Sequence, residues 1–210
     1  MWKGILALAC GMLAFAQGPG PVPAESKVMA APALPYLDWN ACPFEGCIYR
    51  EWTARKSIVV YDTWNSKRKK VAAVGAGDRV TGVSGVVITS RPGKIRMDRD
   101  LPEEGLHRGD TILTYTYLGE GLSSVWFKGR FYPEFDITFA RSDGPRCSDS
   151  SCSASYIDMG VKTWWAEVKL PSGRIGWVNM NQADFDGIDQ LASVLPSLAV
   201  LRRQNHPATE

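Results

Sequence analysis

The sequence predicts an all-β protein of two small modules with a short C-terminal helix. Short segments rich in Val, Ile, Thr and aromatic residues recur from residue 36 to residue 179, and Gly-, Pro- and Asp-bearing turns separate them. Helical spacing is almost absent until Ile188, Leu191, Val194, Leu195 and Leu198, where Pro196 interrupts it. Hydrophobic residues make up 45% and charged residues 22%, close to the average for a soluble globular protein, which indicates neither a disordered chain nor a membrane-embedded body. A length of 210 residues leaves room for two cores.

Residues 1–16 combine a positive start (Lys3), an apolar run from Ile5 to Phe15 and the small-x-small ending Ala14-Phe15-Ala16, the pattern of a cleavable secretory signal. The apolar run is shorter than the roughly 20 residues a spanning helix needs, so no stable membrane insertion is expected after cleavage. A competing reading makes Cys10 a lipidated cysteine, since Leu8-Ala9-Cys10 is similar to the end of a lipoprotein signal. The formal charge is +2, and loss of Lys3 with the signal leaves +1, too weak a field to make nucleic acid an expected partner. Residues 17–35 repeat Pro at short intervals and read as an extended linker.

Without Cys10, four cysteines remain, in two pairs with the same interval: Cys42 with Cys47, and Cys147 with Cys152. An even number suits disulfides in an oxidising compartment. Four cysteines permit three pairings. The two local loops are favoured, because Pro43 and Gly46 in one, and Ser148, Asp149 and Ser150 in the other, let the sulfurs approach with little backbone strain. A zinc site of four thiolates is the alternative.

The first module is placed at residues 36–103, with strands at 56–61, 71–74, 79–83, 85–89 and 94–97. The second, residues 104–187, has strands at 111–117, 124–128, 163–170 and 174–179, with an inserted loop over 133–156. Trp165, Glu167 and Lys169 alternate with Trp164, Ala166, Val168 and Leu170, the period of a strand with one buried face. Gly77-Asp78-Arg79-Val80 and Gly109-Asp110-Thr111-Ile112, 32 positions apart, form a weak internal echo. Residues 188–210 are read as a short helix and a frayed tail.

The segment Trp164 to Val178, with its alternating strand, the turn Pro171-Ser172-Gly173 and the ending Gly176-Trp177-Val178, resembles the closing hairpin of bacterial SH3-like domains. The Gly-Asp turns before Arg79 and Thr111 look like earlier strands of the same barrel. The resemblance implies tandem small, strongly bent barrels, used outside the bacterial inner membrane to bind cell-wall material or other proteins, with no catalysis of their own.

Candidate binding residues are the aromatics Trp126, Tyr132, Trp164 and Trp165, whose faces can stack on sugar rings or prolines. Alternation puts Trp164 and Trp165 on opposite sides of one strand, so only one can enter a given core. Trp177 is read as a core residue. No catalytic constellation is found: the histidines are His107 and His206, and every cysteine beyond Cys10 belongs to a spaced pair. Asp98, Asp100, Glu103 and Glu104, among Arg96, Arg99 and Arg108, read as a solvated linker. Asp184, Asp186 and Asp189 lack the order of a calcium loop. Lys67-Arg68-Lys69-Lys70 reads as a hairpin tip. No cofactor and no metal are expected. The expectation is a noncatalytic periplasmic or secreted protein that binds peptidoglycan or an envelope protein, with a protein-interaction scaffold as the alternative and an envelope hydrolase ranked last.

Overall fold

The computed structural model describes residues 30–141 and 152–190. Within them lie fourteen strands, one 3-10 turn (Pro102–Glu104) and no α-helix, so the all-β reading stands. The expected signal (1–16), most of the expected linker (17–35), Cys147 and residues 191–210 lie outside the described residues, and the expected C-terminal helix falls almost wholly there. Residues 188–190 form bends and a bridge, Cys47 to Asp189.

An eight-stranded sheet is built on β5 (Arg79–Arg91). One edge of β5 carries β2 (Glu51–Ala54) on its first half and β1 (Tyr36–Trp39) on its second. The other edge carries β12 (Val161–Lys169), followed by β13 (Ile175–Asn179), β3 (Ile58–Tyr61) and β4 (Lys70–Val74), while β14 (Phe185–Asp186) lies outside β2. A six-stranded sheet runs β10 (Ala140–Arg141), β11 (Ala154–Asp158), β6 (Gly93–Met97), β7 (Thr111–Gly119), β8 (Leu122–Phe127) and β9 (Arg130–Asp136). Both sheets curl into half-barrels.

The two sheets do not divide at residue 103. Strand β6 pairs with β7 across that position, and β12 and β13 return to β5 and β3. The second sheet, residues 93–158, is thus nested between two adjacent strands of the first. Strand β12 lies along the open edge of β5 over nine register pairs, Val161 opposite Arg91 through Lys169 opposite Thr81, and this brings Ala166 and Val168 into the core of the first sheet. The inserted loop expected over 133–156 is also partly strand, since its ends complete β9 and form β11, which pairs with β6.

The chain leaves the first sheet at Pro92 and returns at Gly160, and these points touch. Gly160 has φ +74°, and a Cβ there would lie 2.5 Å from the Arg91 carbonyl oxygen and 2.5 Å from the Gly93 nitrogen. An Arg91–Asp158 ion pair clamps the same crossing. The sequence echo has a local cause as well. Asp78 Oδ2 accepts the Gly75 N–H at 2.8 Å and Asp110 Oδ2 accepts the His107 N–H at 2.9 Å, so each carboxylate closes a turn onto the N–H three residues before it.

Each sheet has its own core. Trp52, Ile58, Val60, Val80, Ala166, Val168, Val178 and Phe185 fill the first, and Ile95, Met97, Leu106, Ile112, Val125 and Phe127 the second. Gly82 makes room for Trp52, because a Cβ there would come within 2.6 Å of the indole. The sheets meet where the buried Thr89 hydroxyl donates to the Tyr115 carbonyl at 3.1 Å, and where Tyr36 packs on Tyr115 and Phe131 at 5.1 and 5.6 Å between ring centres.

Candidate binding cleft

Strand β12 positions the site. Lys162, Trp164, Ala166 and Val168 alternate along one side, so the parity that buries Ala166 and Val168 also points Lys162 and Trp164 inward, toward the end of the strand where the second sheet joins. There the inner face is left open as a cleft of about 270 Å³, lined by Pro43, Val87, Tyr117, Lys162, Trp164, Met180 and Asn181. Tyr117 comes from β7, so both sheets contribute to the walls.

Trp164 is fixed from several sides. Its backbone N–H donates to Asn181 Oδ1 at 2.8 Å, and its indole N–H donates to the Tyr49 hydroxyl at 3.2 Å. The Tyr49 hydroxyl in turn donates to the Ala41 carbonyl at 2.5 Å. Burial pushes the Tyr49 phenol up to about 12, so it stays a neutral donor throughout the physiological range. Phe44 stands edge-on to Trp164 at 5.9 Å. The Cys42–Cys47 disulfide, with Cα atoms 5.5 Å apart, closes the turn that holds Pro43 and Phe44 at the rim, and it excludes the four-thiolate zinc alternative. Cys152 is buried and disulfide-bonded too. Gly85 lies beneath the Tyr49–Trp164 bond, where a Cβ would collide with the Tyr49 hydroxyl and stand 2.9 Å from the indole nitrogen.

Lys162 supplies the charge. Its ammonium reaches the Thr114 hydroxyl and the Met159 carbonyl, both at 3.5 Å, the weak end of hydrogen bonding. Among the described residues no carboxylate lies within ion-pair distance of it. Burial therefore lowers its pKa below the ordinary value of 10.5. The cleft offers two aromatic walls, an apolar floor at Val87 and Met180, an amide at Asn181 and an unneutralised cation. Such a set holds a ligand that carries both an apolar or ring portion and a negative group.

The four aromatics singled out from the sequence are not brought together. Trp164 is in the cleft. Trp165 leaves the opposite face and is 4% exposed, covered by Tyr61 at 5.8 Å and by the Arg68 guanidinium at 5.1 Å. Trp126, half-buried, lies on β8 between Leu113 and Phe131, its indole nitrogen buried with no hydrogen-bond partner. Tyr132 packs on the second core beside Phe135 at 5.4 Å, with Arg130 over its ring at 4.9 Å. Trp177 is not a core residue: Gly176 and Val178 face inward and Trp177 lies half-buried outside. Lys162, Tyr117, Tyr49 and Pro43 were not read as binding residues from the sequence, although a lysine at the apolar parity of β12 was a legible signal.

The carboxylate groups lie elsewhere. His107 and Asp100 stand 3.8 Å apart with 67% and 63% of their side chains exposed, on the surface and not in a cleft. Asp184 and Asp186 both pair with Arg55, which holds the Asp186 carboxyl below the usual carboxylate range. No protein-family model, curated protein or solved structure matches the chain.

Proposed function

We propose that this chain is a noncatalytic, exported binding protein of the bacterial cell envelope, built on SH3-like barrels, that holds a wall-derived ligand in the cleft of Trp164, Tyr117 and Lys162. The observation that carries the reading is the half-buried ammonium of Lys162, which has no carboxylate partner among the described residues and sits between aromatic walls. A cation kept in such a place costs stability, and a negatively charged ligand offsets that cost. The two curled sheets and the Gly176-Trp177-Val178 strand support the barrel assignment. The signal-like start of the sequence and the disulfides support export. The exposed position of His107 with Asp100 supports a binding role over hydrolysis.

The test is co-sedimentation of the chain, lacking residues 1–16, with purified peptidoglycan sacculi. Retention is expected, and Trp164→Ala and Lys162→Gln should each lose most of it while keeping the wild-type far-UV spectrum. Retention equal to wild type in both variants would refute the cleft as the site.

A scaffold reading is favoured by a different observation. Ile157, Met159 and Val161, at 50%, 57% and 45% exposed, form an apolar tip where β11 turns into β12. A partner protein docked there would leave the cleft free.

A further inference from the structure

The outer face of the first sheet carries a second layer of aromatic side chains, away from the cleft. Register places Trp39, Val86, Trp165 and Asn179 side by side across β1, β5, β12 and β13, and sets Trp177 opposite Tyr61. Paired residues leave the same face of a sheet, so these side chains share the side that Trp164 does not. Trp39 is 51% exposed and meets Trp64 at 5.7 Å and Trp177 at 6.4 Å, both edge to face. The result is a step of three indoles with Trp39 the most exposed of them.

Beside this step runs the turn between β3 and β4. It is pinned at its base by the Asp62 N–H donating to the Lys69 carbonyl at 3.0 Å and the Lys69 N–H donating to Asp62 Oδ1 at 2.7 Å. Arg68 folds inward over Tyr61 and Trp165, at 5.4 and 5.1 Å from their ring centres, and fixes the turn against the face. Lys67 and Lys69 are exposed on the turn, and Lys70 pairs in register with Tyr61 and so shares the outer face. None of these three lysines forms an ion pair with a carboxylate among the described residues. Two carboxylates also lie here, Asp62, which takes the Lys69 N–H at 2.7 Å, and Glu167, which takes the Ser84 hydroxyl at 3.4 Å, so with Arg68 the cations outnumber them.

We propose that this face binds an anionic polysaccharide, with a sugar ring laid on Trp39 and its acidic groups directed to Lys67, Lys69 and Lys70. The axial C–H bonds of a pyranose fit flat on an indole, and repeated carboxylates or phosphates match a cluster of cations. Single-stranded nucleic acid fits less well. It needs several parallel stacking faces and a strongly positive field, whereas these indoles stand edge to face and the chain carries +2 overall. This surface lies on the other side of the sheet from Lys162 and Trp164, so it stands or falls independently of the cleft.

The test is affinity electrophoresis of the full chain through gels containing alginate, dextran or a thymidine oligonucleotide. Alginate should retard the protein in a salt-sensitive way and dextran should not. Trp39→Ala should weaken alginate retention about tenfold, the effect of losing one exposed aromatic anchor. Replacing Lys67, Lys69 and Lys70 together by Gln should abolish the salt dependence. Lys67, Lys69 and Lys70 are on the surface, so the triple variant should unfold at the wild-type temperature, and Trp39→Ala is compared per folded molecule. Absence of alginate retardation, or retardation unchanged in both variants, would overturn the proposal. So would stronger retention by the oligonucleotide than by alginate.

Discussion

Replacing Lys162 by Met separates a functional cation from a structural one. The substitution keeps an unbranched stem against Trp164 and Val87 and removes the ammonium. What is lost is two contacts at 3.5 Å, to Thr114 and Met159, each worth no more than about 0.5 kcal/mol at that length. What is gained is relief from holding an unpaired charge away from water, about 1–2 kcal/mol for a half-buried group. The net expectation is a stabilisation of ~1 kcal/mol, or a rise of about 2–4 °C in melting temperature for a chain of this size. The pH dependence follows from the direction of the pKa shift. Lys162 titrates below 10.5 in the folded chain, so the wild-type penalty is complete at neutral pH. It shrinks as pH rises through the folded pKa and vanishes above the unfolded value of 10.5. The gap between variant and wild type should therefore be widest near neutrality and close toward that limit. Urea unfolding followed by circular dichroism at about pH 7 and pH 10 reads both quantities, with disulfides intact in each arm. Destabilisation at neutral pH, or a gap that widens as pH rises, would refute the reasoning and make Lys162 a structural residue.

Three further outcomes are expected. Gly160→Ala puts a Cβ into the Arg91–Gly93 backbone at a left-handed φ, and should destabilise by about 2–4 kcal/mol in urea titration, more than a surface substitution can. Trp165→Ala should cost about 3 kcal/mol, since it opens a cavity beneath Tyr61 and Arg68, yet leave sacculus binding per folded molecule unchanged. Replacing both Cys42 and Cys47 by Ser releases a short loop worth about 2 kcal/mol of unfolded-state entropy. It should also weaken sacculus retention by freeing Pro43 and Phe44 from the rim, which a thermal melt and the sedimentation assay together would show.

The strands were legible in the sequence because a half-buried strand must alternate. Residues 58–61, 111–119 and 175–179 announce themselves by β-branched and aromatic residues between turns, whereas 79–83 and 85–89, read as two strands, run on as the single strand β5. Their partners were not legible. Alternation says that Val168 needs a covered face, but Val80 on β5 and Val60 on β3 satisfy it as well as any neighbour in the chain would, and only the fold selects them. The same limit applies to the tryptophans. Period two assigns Trp164 and Trp165 to opposite sides, but it does not reveal that the outer side is itself roofed by Tyr61 and Arg68. Of the candidate cleft, Trp164 could be named from sequence. Tyr117 could not, because it arrives from the other sheet.

The contact between Pro92 and Gly160 bears on how the chain closes. Arg91 and Val161 are paired in register although the whole second sheet separates them, and bringing such distant residues together costs about 3 kcal/mol more entropy than closing a two-residue turn. Once residues 93–158 have folded with their ends already touching, most of that cost has been met within them. The nested sheet then acts toward β5 and β12 as an oversized hairpin turn, converting a pairing between distant residues into a local one.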